Sequence, residues 1–462
     1  MVMQGSTSIR AAVLEPGRVH YGGGRTITTP PDLWQDLRAV LDGTLTRFEP
    51  HSTVVIDGHT ADLTTPDGGG WTRTKDGPWT LWRHAAAGRT VAVGARQDMT
   101  TRHLGVLFDK TTDPGIMAAL LDKYAEITGM AWRGTCATTA HAAIRLTWEN
   151  SRAEPLWNMS DNGSGAAVGA LEWERLPGPW ETTWGYVHTF DANAAYLGAA
   201  INAELAWSGL FHTGPQMFDE KLPGYWLLQL DTSTLLLNQD PNRPPLFSER
   251  QLLKGGLVWV TTPYAKLLAE LGDRVEVLDS HTAQPLEHHP AGSRVLRKWG
   301  EQMRDARTAV QALPAGQLRT HLVVAVKRTY KDAIGGMQRP GMRVNRADWG
   351  HTVVDHWRAT LYRTMMRIRR TEGVWPVRVA TDSLAYADGV DTYSHWGAPY
   401  SFGGESYPAP LKLGTGLGQW KHDGVVDIGT WLKAHPVKAP RAPRAPRRAP
   451  AAPQAASRKK VA

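Results

Sequence analysis

Two apolar stretches lying far apart in the chain each deliver an aspartate. The first is Gly185-Tyr-Val-His-Thr-Phe-Asp-Ala-Asn-Ala-Ala-Tyr196 and the second is Val377-Arg-Val-Ala-Thr-Asp-Ser-Leu-Ala-Tyr386. Each reads as a short strand with its acid at or near the end. If the two strands are neighbours in one sheet, Asp191 and Asp382 meet at one spot. Such a pair suits two Mg²⁺ ions, with Mn²⁺ as a substitute. Mg²⁺ takes a few hard oxygen ligands and leaves room for substrate phosphates. Aspartates at strand ends also cap turns, so the pair alone does not specify chemistry.

Composition narrows the setting. A chain of 462 residues has room for two or three domains and a sizeable core. The single cysteine, Cys136, excludes an internal disulfide and fits a reducing, cytoplasmic compartment. Its Gly-Thr-Cys-Ala-Thr-Thr-Ala context reads as a helix start with a small buried residue, not as a reactive thiol. No signal peptide and no membrane-length apolar run is apparent, so no membrane partner is expected. From Lys438 onward the chain carries eight basic residues and no acid, which equals the whole net charge of +8. This Pro/Ala/Arg tail, residues 438–462, cannot build a core and is expected to be disordered. Its Arg441, Arg444, Arg447 and Arg448 suit sequence-independent attraction to DNA phosphates. A plain solubility tail is the alternative.

Along the chain, residues 10–30 read as strands around a Gly-rich turn at Tyr21–Arg25, without the spacing of a phosphate loop. Helical periodicity covers Pro31–Leu41. Strands are expected at Thr53–Ile56, at Leu104–Phe108, and as a hairpin over Trp79–Arg83 and Arg89–Gly94. Asp113-Pro114 signals the start of a helix running to Ile127, and residues 136–147 form another. Residues 151–184 read as a connector across a domain boundary. A helix follows Asp191, from Asn193. Pro223–Leu230 and Gly255–Val260 are expected in the same sheet as Asp191. A helix at Thr262 and a strand at Val275–Leu278 come next. Two basic helices then lie between Gly292 and Ile334, broken at Leu313–Gly316. A long helix over Trp349–Arg370 precedes Asp382. After it come turns near Pro399 and Gly403, then Leu417–Trp420 and a short helix ending near Leu432.

Three stretches together carry a resemblance. Asp191-x-x-x-x-Tyr196 resembles the first palm motif of family B DNA polymerases, Asp-x-x-Ser-Leu-Tyr. Lys327-Arg-Thr-Tyr-Lys-Asp-Ala-Ile-Gly335 resembles the second, Lys-x-x-x-Asn-Ser-x-Tyr-Gly. Thr381-Asp382-Ser383 resembles the third, Asp-Thr-Asp-Ser. They occur in the family's order, and Leu417-Gly-Gln-Trp420 is similar to a stretch of the protein-primed phage type. The resemblance covers about residues 185–432.

That resemblance implies an α/β (α+β) right-hand polymerase: a palm with an antiparallel sheet and helical fingers, preceded by a ribonuclease H-like, exonuclease-like domain. The implied partition is a degenerate N-terminal domain over 1–150 and a palm over 151–437. Fingers would be inserted at about 292–345, with a small thumb after 400. The implied activity is template-directed addition of deoxynucleotides in phage or mobile-element replication. Asp191 and Asp382 would hold two metal ions, and Lys327 would neutralise the triphosphate. Backbone N–H groups from Asn193 to Tyr196 would hold phosphate as well. Tyr196 would lie under the sugar and reject a 2′-hydroxyl. Arg304 and Arg307, one helical turn apart, could reach phosphates. Partners would be primer-template DNA, dNTPs and a terminal protein or other replication protein.

The departures from the pattern are specific. Ala380 stands where the third motif has its first Asp. Lys331, Asp332 and Ile334 stand where the second has Asn, Ser and Tyr. In the N-terminal block Asp57, Asp62, Asp109 and Asp113 are the carboxylates available, without an Asp-x-Glu pair after the first strand. These departures leave two other readings: a catalytically decayed descendant that binds DNA or a terminal protein, and a nuclease working from the N-terminal block.

Overall fold

The computed structural model describes residues 9–32, 36, 39–42, 48–57, 70–76, 79–98, 112–151, 171–248, 251–253, 255–285, 290–402 and 405–435. The expected strand at Leu104–Phe108 and the tail from Lys438 lie outside these residues, as does much of the expected helix at Pro31–Leu41. Of that helix, residues 39–41 are helical, whereas Pro31 and Asp32 form a turn and Asp36 is not helical.

The N-terminal strands are β1 (Ile9–Glu15), β2 (Arg18–Tyr21), β3 (Thr26–Thr28), β4 (Phe48–Ile56), β5 (Trp71–Asp76), β6 (Trp79–His84) and β7 (Arg89–Ala95). They form one sheet in the order β3-β2-β1-β4-β7-β6-β5. β4 runs parallel to both β1 and β7, while the remaining pairs are antiparallel. A central strand buried on both faces needs apolar residues in succession, not in alternation. Ala11–Leu14 and Val54–Ile56 supply them. Ala11, Val13 and Val55 face one core, while Ala12, Leu14, Val54 and Ile56 face another.

The helix α1 (Pro114–Thr128) covers the first face at β1 and β2, and α2 (Cys136–Ser151) packs on the helices of the second half. α1 starts as its sequence signals. The Asp113 carboxylate accepts from the Gly115 and Ile116 N–H groups, at 2.9 and 3.0 Å, and Pro114 takes the first turn. Gly129 ends it at φ 66, a left-handed conformation that favours glycine.

The second half holds β8 (Glu172–Glu174), β9 (Tyr186–Ala192), α3 (Ala195–Asn202), β10 (Leu205–Ala206), β11 (Leu210–His212), β12 (Gly224–Gln229) and α4 (Thr232–Gln239). It continues through β13 (Leu257–Thr261), α5 (Thr262–Glu270), β14 (Glu276–Ala283), β15 (Gly292–Ser293), α6 (Arg297–Gln311), α7 (Gln317–Met337) and α8 (Ala347–Glu372). The chain closes with β16 (Arg378–Ala380), β17 (Ser383–Asp388), β18 (Tyr400–Phe402), β19 (Glu405–Tyr407), β20 (Trp420–Asp427) and α9 (Ile428–Ala434).

Three expectations need correction. Pro223–Leu230 and Gly255–Val260 do not join the sheet of Asp191. They form β12 and β13 of a separate sheet ordered β11-β14-β12-β13. The Asp191 sheet is ordered β20-β9-β17-β16-β8 and is antiparallel throughout. Its two outer strands were not expected. β8 lies inside the supposed connector. β20, from Trp420, alternates poorly because most of its residues are exposed.

One hydrophobic core joins the two halves, and α7 is where they meet. From behind, Tyr124 of α1 shares a hydrogen bond with Thr329 (2.9 Å), and the His141 ring of α2 donates to the Ala333 carbonyl (2.8 Å). Gly336 lets α2 approach: a Cβ there would stand 3.0 Å from the His141 ring. α7 therefore has one fixed face, and its other face is free to line a cleft. α8 is buried on all sides over Ala347–Val353 and continues into the core through Trp357, Leu361, Tyr362, Met365 and Ile368, as a helix enclosed by other elements must. Its Asp355–Arg358 pair (3.1 Å) is buried and satisfied further by the Thr261 hydroxyl, which donates to Asp355 at 2.8 Å. Breaking such a pair by removing one partner costs about 3–5 kcal/mol.

Candidate active site

Asp191 is near the end of β9, and Asp382 is in the turn that joins β16 to β17. In the β9–β17 ladder Asp191 is opposite Ser383, the residue after Asp382. The Ala192 N–H donates to the Asp382 carbonyl at 2.9 Å, which locks the two segments at the acids themselves. The sequence expectation that two strands bring these carboxylates together therefore matches the register. Asp382 differs in detail, since it belongs to the hairpin turn and not to a strand end.

Both acids sit beside strained backbone. Thr381 has φ 59 and Ala194 has φ 50, the two non-glycine residues with positive φ among those described. The Asp382 N–H donates to the Ala380 carbonyl (2.7 Å), closing a three-residue turn centred on Thr381. Turns of that hand are rare and strained, and a β-branched residue makes them costlier. Neighbours hold the turn in place: the Thr381 N–H donates to Leu171 (3.0 Å), and the Trp357 indole donates to the Thr381 carbonyl (3.2 Å). Strain of about 1–3 kcal/mol per residue persists only where surrounding structure over-determines it, and it concentrates at functional positions.

The two carboxylates form the floor of a cleft of ≈ 290 Å³. Tyr196 and the start of α3 line it, as do Arg307, Lys327, Tyr330 and Lys331 from the two basic helices. Lys327 and Lys331 are one turn apart on the open face of α7. Burial pushes the Asp191 carboxyl above its ordinary value, and the Asp382 charge adds to this; Lys327 and Lys421 oppose the rise. Burial likewise raises Asp382, against the pull of Lys331, a backbone hydrogen bond and Lys327. Burial also pushes the phenols of Tyr196 and Tyr330 up to about 12, so both remain neutral walls.

Asn193 and Arg307 act together as a brace. Arg307 donates to the Asn193 side-chain oxygen (3.2 Å) and to the Thr415 carbonyl (3.0 Å). Asn193 donates from its amide to the Gly414 carbonyl (2.7 Å), and its backbone exchanges hydrogen bonds with Gln419 and Gly418. The Asn193 side chain is thus committed to the 414–419 loop. Arg304 does not reach the cleft. It is exposed and pairs with Asp305 at 2.9 Å. On β20, Lys421 is opposite Asp191 and pairs with Asp423 at 2.8 Å.

The donor chemistry fits a divalent cation. Two partly buried carboxylates on adjoining segments supply hard oxygens, and burial leaves them short of compensating charge. The surrounding Lys327, Lys331 and Arg307 suit a polyanionic ligand rather than a neutral one.

Among the described residues, the N-terminal carboxylates do not assemble into a comparable site. Asp57 faces Arg96 (3.6 Å) and accepts from Gln97 (3.2 Å), and Asp113 is spent as the α1 cap. Asp62 and Asp109 lie outside the described residues. Burial pushes the Cys136 thiol up to about 12, which removes it as a nucleophile. The basic tail residues Arg441, Arg444, Arg447 and Arg448 also lie outside the described residues. Among the described residues, no helix is long and apolar enough to cross a membrane.

Two wall residues escaped the sequence reading. Lys331 was counted there as a departure from a motif, although its four-residue spacing from Lys327 already places both amines on one helical face. Tyr330 had no signal of its own.

No protein-family model matches the chain, and no curated protein matches it. Among solved structures it is similar to phi29 DNA polymerase complexed with primer-template DNA. That comparison has a TM-score of 0.45 and 10% identity, over 90% of this chain and 83% of that one. The ternary complex of the same polymerase with incoming nucleotide substrates gives 0.45 and 10%, over 88% and 82%. Its complex with single-stranded DNA gives 0.44 and 10%, over 90% and 83%. The likeness is distant.

Proposed function

We propose that the cleft adds deoxynucleotides to a primer end, directed by a template, through metal-assisted phosphoryl transfer. The observation that carries this reading is that Asp191 and Asp382, on adjoining segments, line one cleft with two lysines from one helix face. Two Mg²⁺ ions held by Asp191 and Asp382 would supply the Lewis acid for the attacking hydroxyl and the leaving phosphate. Little acid–base work is then left to side chains, and positioning and charge neutralisation carry the rate. Lys327 and Lys331 bind the triphosphate. The first N–H groups of α3 lie along the same cleft and add dipolar attraction. Tyr196 forms the wall against the sugar and, as the motif resemblance implies, selects against a 2′-hydroxyl. Arg307 and Asn193 fix the loop that closes the site. In this reading the Asp191 sheet is the palm, α6 and α7 are the fingers, the N-terminal sheet is a scaffold without nuclease activity, and the basic tail adds a DNA contact.

Primer extension tests it. The full chain with primed template, Mg²⁺ and dNTPs should extend the primer, and Asp382→Ala and Asp191→Ala should abolish extension. Extension that persists in Asp382→Ala would falsify the assignment. DNA, RNA and protein-hydroxyl primers are run in parallel. A second reading, a catalytically decayed protein that binds DNA or a terminal protein, is favoured by Ala380 and Lys331. It predicts DNA binding with no extension from any primer.

A further inference from the structure

A second constellation of ligating side chains lies on another sheet. His212 of β11 is directly opposite His281 of β14. Asp279 precedes His281 by two residues on β14 and so projects from the same face of the sheet. One ligand atom from each of the three residues lies within 4.8 Å of the other two. The two imidazole centroids are 5.0 Å apart, and His212 Nε2 is 2.7 Å from an Asp279 oxygen. The Ser280 N–H donates to that carboxylate at 2.8 Å, and the Trp259 indole lies 5.7 Å from the His281 ring as a side wall.

We propose that His212, Asp279 and His281 form a mononuclear site for a divalent transition-metal ion, with Zn²⁺ the best match. Two imidazole nitrogens and one carboxylate oxygen are the borderline donors that Zn²⁺, Co²⁺ and Ni²⁺ accept. Mg²⁺ and Ca²⁺ prefer all-oxygen sets, so this site is chemically unlike the Asp191–Asp382 pair. Tetrahedral zinc with bonds of about 2.0–2.1 Å places its ligand atoms roughly 3.4 Å apart. The widest pair has to close by little more than an ångström, and the His212 side chain, 63% exposed, is free to do so. Water takes the fourth position. The ion ties β11, a three-residue edge strand, to β14 and so fixes the entry to the following loop. Without an ion the same residues are a surface His–Asp pair, which contributes little.

Metal titration of the full chain separates the two. Chelator-treated protein, held in excess Mg²⁺ to fill oxygen-only sites, is titrated with Co²⁺ by visible absorbance and with Zn²⁺ by calorimetry. The expected result is one saturable equivalent with the intense spectrum of tetrahedral Co²⁺. His212→Ala and His281→Ala should each weaken it by more than the roughly 10–100-fold that loss of a supporting contact costs. Metal-free melting temperatures of the variants should match the parent, and added Zn²⁺ should raise only the parent's. Where an alanine variant melts early, Asp279→Asn supplies the same comparison with near-identical shape. Equal Co²⁺ affinity in the parent and in the folded variants, or no saturable equivalent, overturns the proposal. None of these readouts depends on polymerisation.

Discussion

Replacing Asp382 by Asn should make the metal-free protein more stable while destroying the proposed activity. Asp191 and Asp382 lie on adjoining segments, and both carboxyls are held above their ordinary range by burial, with the Asp382 charge adding to the rise at Asp191. For scale, two like charges about 6 Å apart would repel by about 3 kcal/mol at an effective dielectric constant of about 20. Lys327 and Lys331 offset much of this, which leaves a net penalty on the order of 1 kcal/mol. Because the folded-state values are raised, the penalty is absent below the unfolded aspartate value of about 3.9 and grows as pH climbs through the folded values. Asn has the same shape without the charge. In EDTA at neutral pH the variant should therefore melt about 1–2 °C above the parent, and the gap should close toward pH 4. Mg²⁺ at ten times its dissociation constant should return about 1.4 kcal/mol to the parent and little to the variant. Melting curves read from intrinsic tryptophan fluorescence, with and without Mg²⁺, suffice. A variant that melts below the parent in EDTA, or that gains as much from Mg²⁺, would refute the idea of a charge-strained cation site.

Two further outcomes are expected. His356 is held down to about 4 by burial first, with Arg363 and Arg294 adding to it. A depressed histidine leaves its full contribution above the unfolded value of about 6.5 and loses it as pH falls toward the folded value, here by roughly 3 kcal/mol. His356→Gln should flatten that part of the stability–pH profile in denaturant titrations, and an unchanged slope between pH 6.5 and 4 would count against it. Removing residues 438–462 takes away eight positive charges. Binding to duplex DNA should weaken at low salt and converge with the parent as salt screens the contacts. Equal affinity at low ionic strength would rule out the tail as a DNA arm.

The parts of this fold that local chemistry dictates could be read from the sequence. Asp113-Pro114 marks the start of α1 because capping needs only neighbouring residues. The α6–α7 break at Leu313–Gly316 and the length of α8 follow from helical spacing and glycine stops. The Asp191 and Asp382 strands were visible as apolar runs. Sheet membership was not visible, because pairing partners are set by tertiary packing. β12 and β13 looked like companions of β9 yet pair with β14. β8 has three residues, and β20 has one well-buried side chain, so neither carries a pattern. At the site, side-chain commitment was equally hidden. Asn193 is bound to Gly414 and Arg307, and Arg304 turns to Asp305, which spacing along a helix cannot reveal.

Lys331 and Ala380 shift the charge of the cleft in the same direction. In the motifs this chain resembles, the corresponding positions are an amide and a carboxylate. Here one negative charge is missing and one positive charge has been added. Ala380 is on β16 directly before the strained Thr381, while Lys331 reaches over Asp382 from α7. The Lys331 ammonium thus offsets part of the negative charge that Asp382 presents to a cation. Lys331→Asn should then tighten Mg²⁺ binding, read as a larger Mg²⁺-induced rise in melting temperature. If the site is active, the same change should weaken nucleotide binding, read as a raised KM for dNTP, since one phosphate contact is lost. Unaltered Mg²⁺ stabilisation would mean that Lys331 faces solvent and takes no part in balancing the carboxylates. Tighter Mg²⁺ binding with extension absent in both forms would leave an intact cation site and point the loss of activity at the missing carboxylate of Ala380.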